Sequence, residues 1–362
     1  MAGHAEVVGA GVAEAATASS LQSSVARNTE AMYKQVRKEM RAMFYDGRTL
    51  RGFRWGKAGR LSVLATFAAL AWFPVSASPQ QSGQKTFSSA ADASKALIAA
   101  LQSNDQPELL SILGSDAKDI LSSGDQVQDK NDRDEFVEKY GQMHRLVNEP
   151  DGTTTLYIGA ENWPTPIPLV HKGDASYFDT AAGKREILYR RVGRNELAVI
   201  QICHELVDAE KEYYQQSHDG DPGKEYARKF LSDPSKHDGL YWQANSGEGE
   251  SPIGPLVASA AIEGYRPNGS QDPQPFQGYY FRVLAGQGAN EPGGARSYIV
   301  NGKMTRGFAF LAYPAEYRSS GVMTFLVDED GVVYEKDLGS RTAEIAKTLA
   351  RYDRDATWRK AN

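Results

Sequence analysis

From about residue 85 onward the apolar positions keep a period near 3.6, then shift towards two. Ser89 and Asp92 stand three apart, as in a capping box, and Ala93, Leu97, Ala100 and Leu101 make the stripe of the helix they would start. A second short helix fits Gln106–Leu113, with Gly114 as its stop. A third is predicted behind Asp132 as cap, with Glu135 following and Phe136, Tyr140, Met143 and Val147 at i, i+4, i+7 and i+11. After the turn residues Glu149, Pro150, Asp151 and Gly152, the segments 154–158, 167–171, 176–179 and 186–191 have strand character. Helices followed by strands predict an α+β domain over 85–193, with N-terminal helices over a curved antiparallel sheet.

The pattern then turns helical again. Asn195 is the expected cap of a helix from 196 to about 217, with Leu197, Ile200, His204 and Val207 along one side and Val199, Ile202, Leu206 and Tyr213 widening its apolar face. A polar turn over 218–223 leads to a short helix ending at Phe230, and the Gly/Pro-rich stretch 233–255 predicts an extended loop. Strands are expected over 276–284, 297–300, 307–312, 322–327 and 332–336, with Asp328 to Gly331 as a hairpin turn, and a last helix over 340–352. This makes a second domain over 194–362, a helix followed by an antiparallel meander.

Residues 1–77 change the picture of where the chain goes. They hold ten basic and five acidic side chains, the basic ones all between Arg27 and Arg60, which leaves 31 basic and 41 acidic residues beyond Ala77. Arg60 is followed by fifteen uncharged residues, Leu61 to Val75, and then by Ser76 and Ala77. This is the order of a secretory signal, and the apolar run is shorter than the ~20 residues that span a bilayer. The expectation is a chain exported to the periplasm or beyond and cleaved after Ala77, with no stable membrane span afterwards. Translation starting nearer Met40 or Met43 would give the signal an ordinary length. Cys203 is the one cysteine, so no internal disulfide is available, and its apolar neighbours predict a buried thiol. An acidic mature chain is unsuited to sequence-independent nucleic-acid binding.

The helix-then-sheet order of 85–193 is similar to the cone-shaped nuclear-transport-factor-2-like fold, a likeness that carries no activity. More specific are Arg190-Arg-Val-Gly-Arg-Asn-Glu-Leu197, Phe276-Gln-Gly-Tyr-Tyr-Phe-Arg-Val-Leu284, Gly286-Gln-Gly288, Pro292-Gly-Gly-Ala295, Gly307-Phe-Ala-Phe-Leu-Ala-Tyr-Pro314, Ser320-Gly-Val-Met-Thr-Phe325 and Asp330-Gly-Val-Val-Tyr-Glu-Lys-Asp-Leu-Gly339. With these motifs the chain, over about 85–360, resembles the bacterial exported family catalogued as domain of unknown function 2950. The C-terminal half is also loosely similar to the globular heads of type IV pilin-like proteins. The helix comparable to theirs is mid-chain and amphipathic here, so filament formation is not implied.

No catalytic residue, metal or cofactor is expected. His204-Glu205-Leu-Val-Asp208 begins like a zinc-protease helix but has Asp208 where the second histidine belongs, and zinc wants three or four ligands. A hydrogen-bonded core histidine is the expectation for His204. His218, Asp219 and Asp221 lack calcium-loop spacing, and the Gly286–Gly288 and Gly293–Gly294 glycines open no helix. The constellation that stands out is polar and aromatic: Tyr279, Tyr280, Arg282, Gln287, Arg296, Tyr298, Tyr313 and Tyr317. Side chains with a flat apolar face and a polar tip suit partner binding, and Arg282, Gln287 and Tyr313 are the expected binding residues. Tyr279, Phe281 and Val283 should form the core face of their strand, with Arg282 on the other. The expected role is binding or assembly with an envelope protein or polymer. The alternatives are a hydrolase acting on an envelope polymer through His204 and its acidic neighbours, and a structural subunit of a surface appendage.

Overall fold

The computed structural model describes residues 80–244, 249–263, 265 and 274–361. The expected signal, cleavage site and alternative starts lie outside the described residues. The described residues belong to one compact unit, which is α+β with antiparallel sheets.

The first helices follow the predicted pattern. In α1 (Ala90–Gln102) the Ser89 hydroxyl accepts from the Asp92 N–H, and the Asp92 carboxylate takes both Ser88 and Ser89 hydroxyls. α2 (Gln106–Leu113) is capped by Asp105 and ends at Gly114, whose φ of 84° suits glycine. α3 (Lys118–Leu121) follows. Ala93, Leu97, Leu109, Ile112, Leu113, Ile120 and Leu121 close one core with Leu169 and Phe178 from the strands.

α4 (Gln126–Gln142) begins a turn and a half before the expected cap. Asp125 caps it instead, accepting from the Gln128 N–H, and Asp132 lies inside. Val147, expected on its stripe, belongs to β1 (His144–Asn148), because antiparallel pairing to β2 (Thr154–Ile158) around the Glu149–Gly152 turn claims those residues. With β3 (Trp163–Pro164), β4 (Leu169–Lys172) and β5 (Ala175–Phe178) they form a sheet in the order β1-β2-β4-β5, β3 pairing on β2.

α5 (Thr180–Tyr213) corrects two expectations. Residues 186–191 are helical, not a strand, and Asn195 is an interior buried residue, not a cap. Asp179 starts the helix by accepting from the Ala182 N–H, and the consecutive Ile187 and Leu188 both pack on the first core, which successive residues of a strand would not do. Three consecutive apolar residues among six, Ile187 to Tyr189, satisfy either period, so the cap and the packing decide. The helix runs without a break past Gly193, where a domain boundary is expected from the sequence. The short helix expected before Phe230 is absent. There the Tyr226 N–H bonds the Met304 carbonyl and the Ala227 N–H bonds Glu210, so the chain's donors point away from itself.

After α6 (Gly254–Ile262), the C-terminal sheet has the order β14-β13-β12-β11-β6: β6 (Tyr279–Leu284), β11 (Ala309–Pro314), β12 (Met323–Asp328), β13 (Tyr334–Asp337) and β14 (Arg359–Lys360). Between β6 and β11 lie the short strands β7 (Gly286–Gln287), β8 (Arg296–Ser297), β9 (Ile299–Val300) and β10 (Lys303–Met304). α5 packs on β11 and β12, and α7 (Thr342–Thr348) packs on β11 from the other face. Every residue of β11 is therefore buried. The last helix is shorter than expected, because the Tyr352 backbone bonds Gly286 and Gly288 and draws residues 350–361 along the sheet.

Candidate functional site

The most heavily buried polar groups gather where α4 and α5 meet the start of β6 and the β11–β12 hairpin. Asp125 caps α4 and also accepts from the Gly278 N–H (2.9 Å) and the Tyr265 hydroxyl (2.7 Å). Asn195 donates to Gln128 Oε1 (3.0 Å) and to the Ser320 carbonyl (2.9 Å). Glu196, one residue on, accepts from the Val322 and Met323 N–H groups (both 2.9 Å) through Oε1. Arg191 reaches the Asp119 and Ile120 carbonyls at the end of α3, and the Ser319 hydroxyl donates to Asp119 and Ser122. The glycines of these motifs are required by close approach. A Cβ on Gly321 would sit 2.0 Å from the Tyr279 hydroxyl, and one on Gly278 would sit 2.4 Å from Asn195 Nδ2. Gly278 also has a φ of +74°.

Two acids of α5 are sealed in. Burial pushes Glu196 up to about 8, opposed by its two backbone donors, and its Oε2 has no hydrogen-bond partner. Glu335 of β13 is buried on the same face of the sheet, ion-paired to Arg359. Glu210 accepts from Ala227 through Oε2 while its Oε1 is unpartnered, and burial raises its pKa well above the ordinary carboxyl value. Neither acid is exposed, so neither reaches a solvent-borne substrate.

A second polar cluster knits the 286–297 loop to the C-terminal segment. Arg354 lies between the rings of Tyr334 (4.0 Å) and Tyr352 (4.8 Å) and makes a fork with Glu291, itself buried. The Gln287 amide donates to the Pro292 and Gly294 carbonyls (2.8 and 2.9 Å), and Arg351 donates to the Gln287 carbonyl. Asp328, half-buried at the end of β12, is raised above the ordinary aspartate value by desolvation.

The three residues expected to bind are not brought to one spot. Arg282 and Tyr313 share the α7 face of the sheet: the register pairs Arg282 with Leu311 and Tyr280 with Tyr313, the two tyrosine rings 5.4 Å apart. Arg282 Nη1 donates to the Ala346 and Lys347 carbonyls (2.7 and 3.2 Å) at the C-terminal end of α7, where a cation is favoured. Tyr313 is buried, and Gln287 belongs to the separate loop cluster. On the α5 face Tyr279 is fully buried as expected, but Phe281 and Val283 are only half-buried because β6 is an edge strand.

His204 corrects another expectation. It is exposed, as are Glu205 and Asp208, since the buried stripe of α5 passes through Val199, Ile202, Cys203, Leu206 and Val207. Cys203 is buried and its thiol is pushed up to about 12 by burial. Among the described residues no three His, Cys, Asp or Glu side chains are placed to hold a metal ion. Nor is any helix among them long and apolar enough to cross a membrane. Glu196 gave no sequence signal beyond its place in the 190–197 motif, and Asp125, Glu210 and Arg354 gave none, since charged residues are exposed by default.

These features define an α+β protein whose helices and hairpin are joined through buried polar groups. The model of the family described as protein of unknown function (DUF2950) matches residues 84–361, and the chain belongs to that family. No curated protein and no solved structure matches it.

Proposed function

We propose that this is an exported envelope protein, periplasmic or secreted, whose 78–362 part acts in binding or assembly and not in catalysis. The observation that carries the reading is how the buried and half-buried polar side chains, in the motifs and outside them, are used. Asp125, Arg191, Asn195, Glu196, Arg282, Gln287 and Arg354 each hold backbone or a neighbouring side chain in place. Such bonds fix loops on a rigid frame, and loops on a rigid frame are where partners are engaged. The signal-like order of residues 43–77 supports export.

Two measurements test it. Sequencing the N-terminus of the protein recovered from the envelope should find Ser78, and a chain beginning within residues 1–50 overturns export. Reciprocal capture, with each partner tagged in turn in intact envelope, should recover the same protein or polymer both ways. A reaction on envelope polymer that survives purification and is lost in His204→Ala would overturn the binding reading in favour of hydrolysis.

A further inference from the structure

β6 ends its sheet, and part of its outer edge is unpaired. The Ala315 N–H donates to the Gly278 carbonyl (2.9 Å), in line with the antiparallel register that sets Tyr279 opposite Pro314 and Leu284 opposite Ala309. Backbone groups alternate along a strand, so those of Tyr280, Arg282 and Leu284 point at β11 and those of Tyr279, Phe281 and Val283 point outward. At Tyr279 both outward groups are taken by Phe276 (3.1 and 2.8 Å). Past Leu284 the Ala285 carbonyl accepts from the Tyr298 N–H (2.9 Å). Between these closures Phe281 and Val283 have no outward backbone partner among the described residues, and both side chains are half-buried.

The charge beside this window selects its occupant. A second copy of the chain using both open residues would pair Phe281 with Val283 across a two-fold axis, which sets Arg282 directly opposite Arg282. That is a non-hydrogen-bonded pair with Cα atoms about 4.5 Å apart, and like charges there are unfavourable. Arg282 bonds α7 through Nη1 only; Nε and Nη2 have no partner among the described residues, and Lys347 is exposed at the end of the same helix. We infer that the window takes an extended segment of a different polypeptide, antiparallel to β6, with the core sequence apolar–acidic–apolar. The acidic residue lies beside Arg282, and the flanking two pair with Phe281 and Val283 through four backbone hydrogen bonds. This inference rests on the binding role proposed above.

The test uses the whole chain and two synthetic peptides about nine residues long, one centred on Ile-Glu-Val and the other on Ile-Lys-Val. In the free protein the Phe281 and Val283 amides should exchange with solvent freely while those of Tyr280 and Arg282 are protected. The Glu peptide should slow exchange at Phe281 and Val283 and bind at least about tenfold tighter than the Lys peptide. Val283→Pro removes one outward N–H without touching the β11 ladder and should abolish that binding. Arg282→Glu should reverse the peptide preference. Protected Phe281 and Val283 amides in the free protein, equal binding of the two peptides, or no binding of either at millimolar concentration overturns the inference. If Val283→Pro keeps the reciprocally captured envelope partner, the edge is the wrong place while the binding role stands. If the native chain captures no partner reciprocally, the binding role itself fails.

Discussion

Gln128 and Asn195 exchange side-chain amides: Gln128 Nε2 donates to Asn195 Oδ1 at 2.9 Å, and Asn195 Nδ2 donates back to Gln128 Oε1 at 3.0 Å. The pair is buried and ties α4 to the middle of α5. Since Asn195 also holds the Ser320 carbonyl, the hairpin carrying β11 and β12 is positioned by the same side chain. Asn195→Ala leaves Gln128 and the Ser320 carbonyl with lost partners in the interior, which costs on the order of 2–4 kcal/mol. Urea unfolding should show it as a lower midpoint at unchanged slope. A loss under about 0.5 kcal/mol would mean that water replaces the amide and the pair is not structural.

Glu196 makes stability depend on pH in a stated direction. Its pKa rises from 4.5 to about 8 on folding, because burial disfavours the ionised form. A raised carboxyl pKa contributes stability fully below about 4.5 and loses it progressively up to about 8. Glu210, also raised, acts in the same direction. The expected outcome is a melting temperature that falls between pH 5 and pH 8, by a free energy on the order of a few kcal/mol. Glu196→Gln keeps an acceptor for the Val322 and Met323 N–H groups and should flatten much of that slope. A variant with the native slope would show that Glu196 does not titrate there.

Cys203 should be inert in the folded chain. A thiol pushed up to about 12 is essentially undissociated at neutral pH, and it is also out of reach of reagent. Thiol labelling should therefore proceed only at the rate of unfolding, and Cys203→Ala should cost about 1–2 kcal/mol as a small cavity. Rapid labelling of the native protein would place the thiol in a cleft after all.

The edge position of β6 changes what its substitutions do. Phe281 is half-buried, so Phe281→Ala should cost about 1–2 kcal/mol, below the 3–5 typical of a fully buried ring. Arg282→Ala removes the cation at the end of α7 and should cost roughly 0.3–1 kcal/mol, with faster amide exchange confined to α7 and its neighbours. A loss for Arg282→Ala as large as for Phe281→Ala would make Arg282 chiefly structural.

The sequence by itself determined what depends on neighbours a few residues apart. The Ser89 cap, the extent of α2 with its stop at Gly114, the Asp328–Gly331 turn and four of the five strands expected in the C-terminal meander are settled by local pattern, and the structure keeps them within a residue or three. The strand expected over 297–300 is instead divided at Tyr298 between β8 and β9, which pair outside the main sheet, and β14 had no local signal. The burial of Cys203 was legible in the same way, since it sits in the apolar stripe of α5. Only tertiary structure decided whether 186–191 would be helix or strand, because an apolar run that short fits both periods until the first core packs on Ile187 and Leu188. It decided that Asn195 and Glu196 are interior, since their partners Gln128, Ser320 and Met323 lie some 70 to 130 residues away. It decided likewise that His204 faces water, because the sheet chose the neighbouring stripe of the same helix. Finally, it decided that β6 has an open edge. Strand order is set by which elements meet in space, and no local periodicity records it.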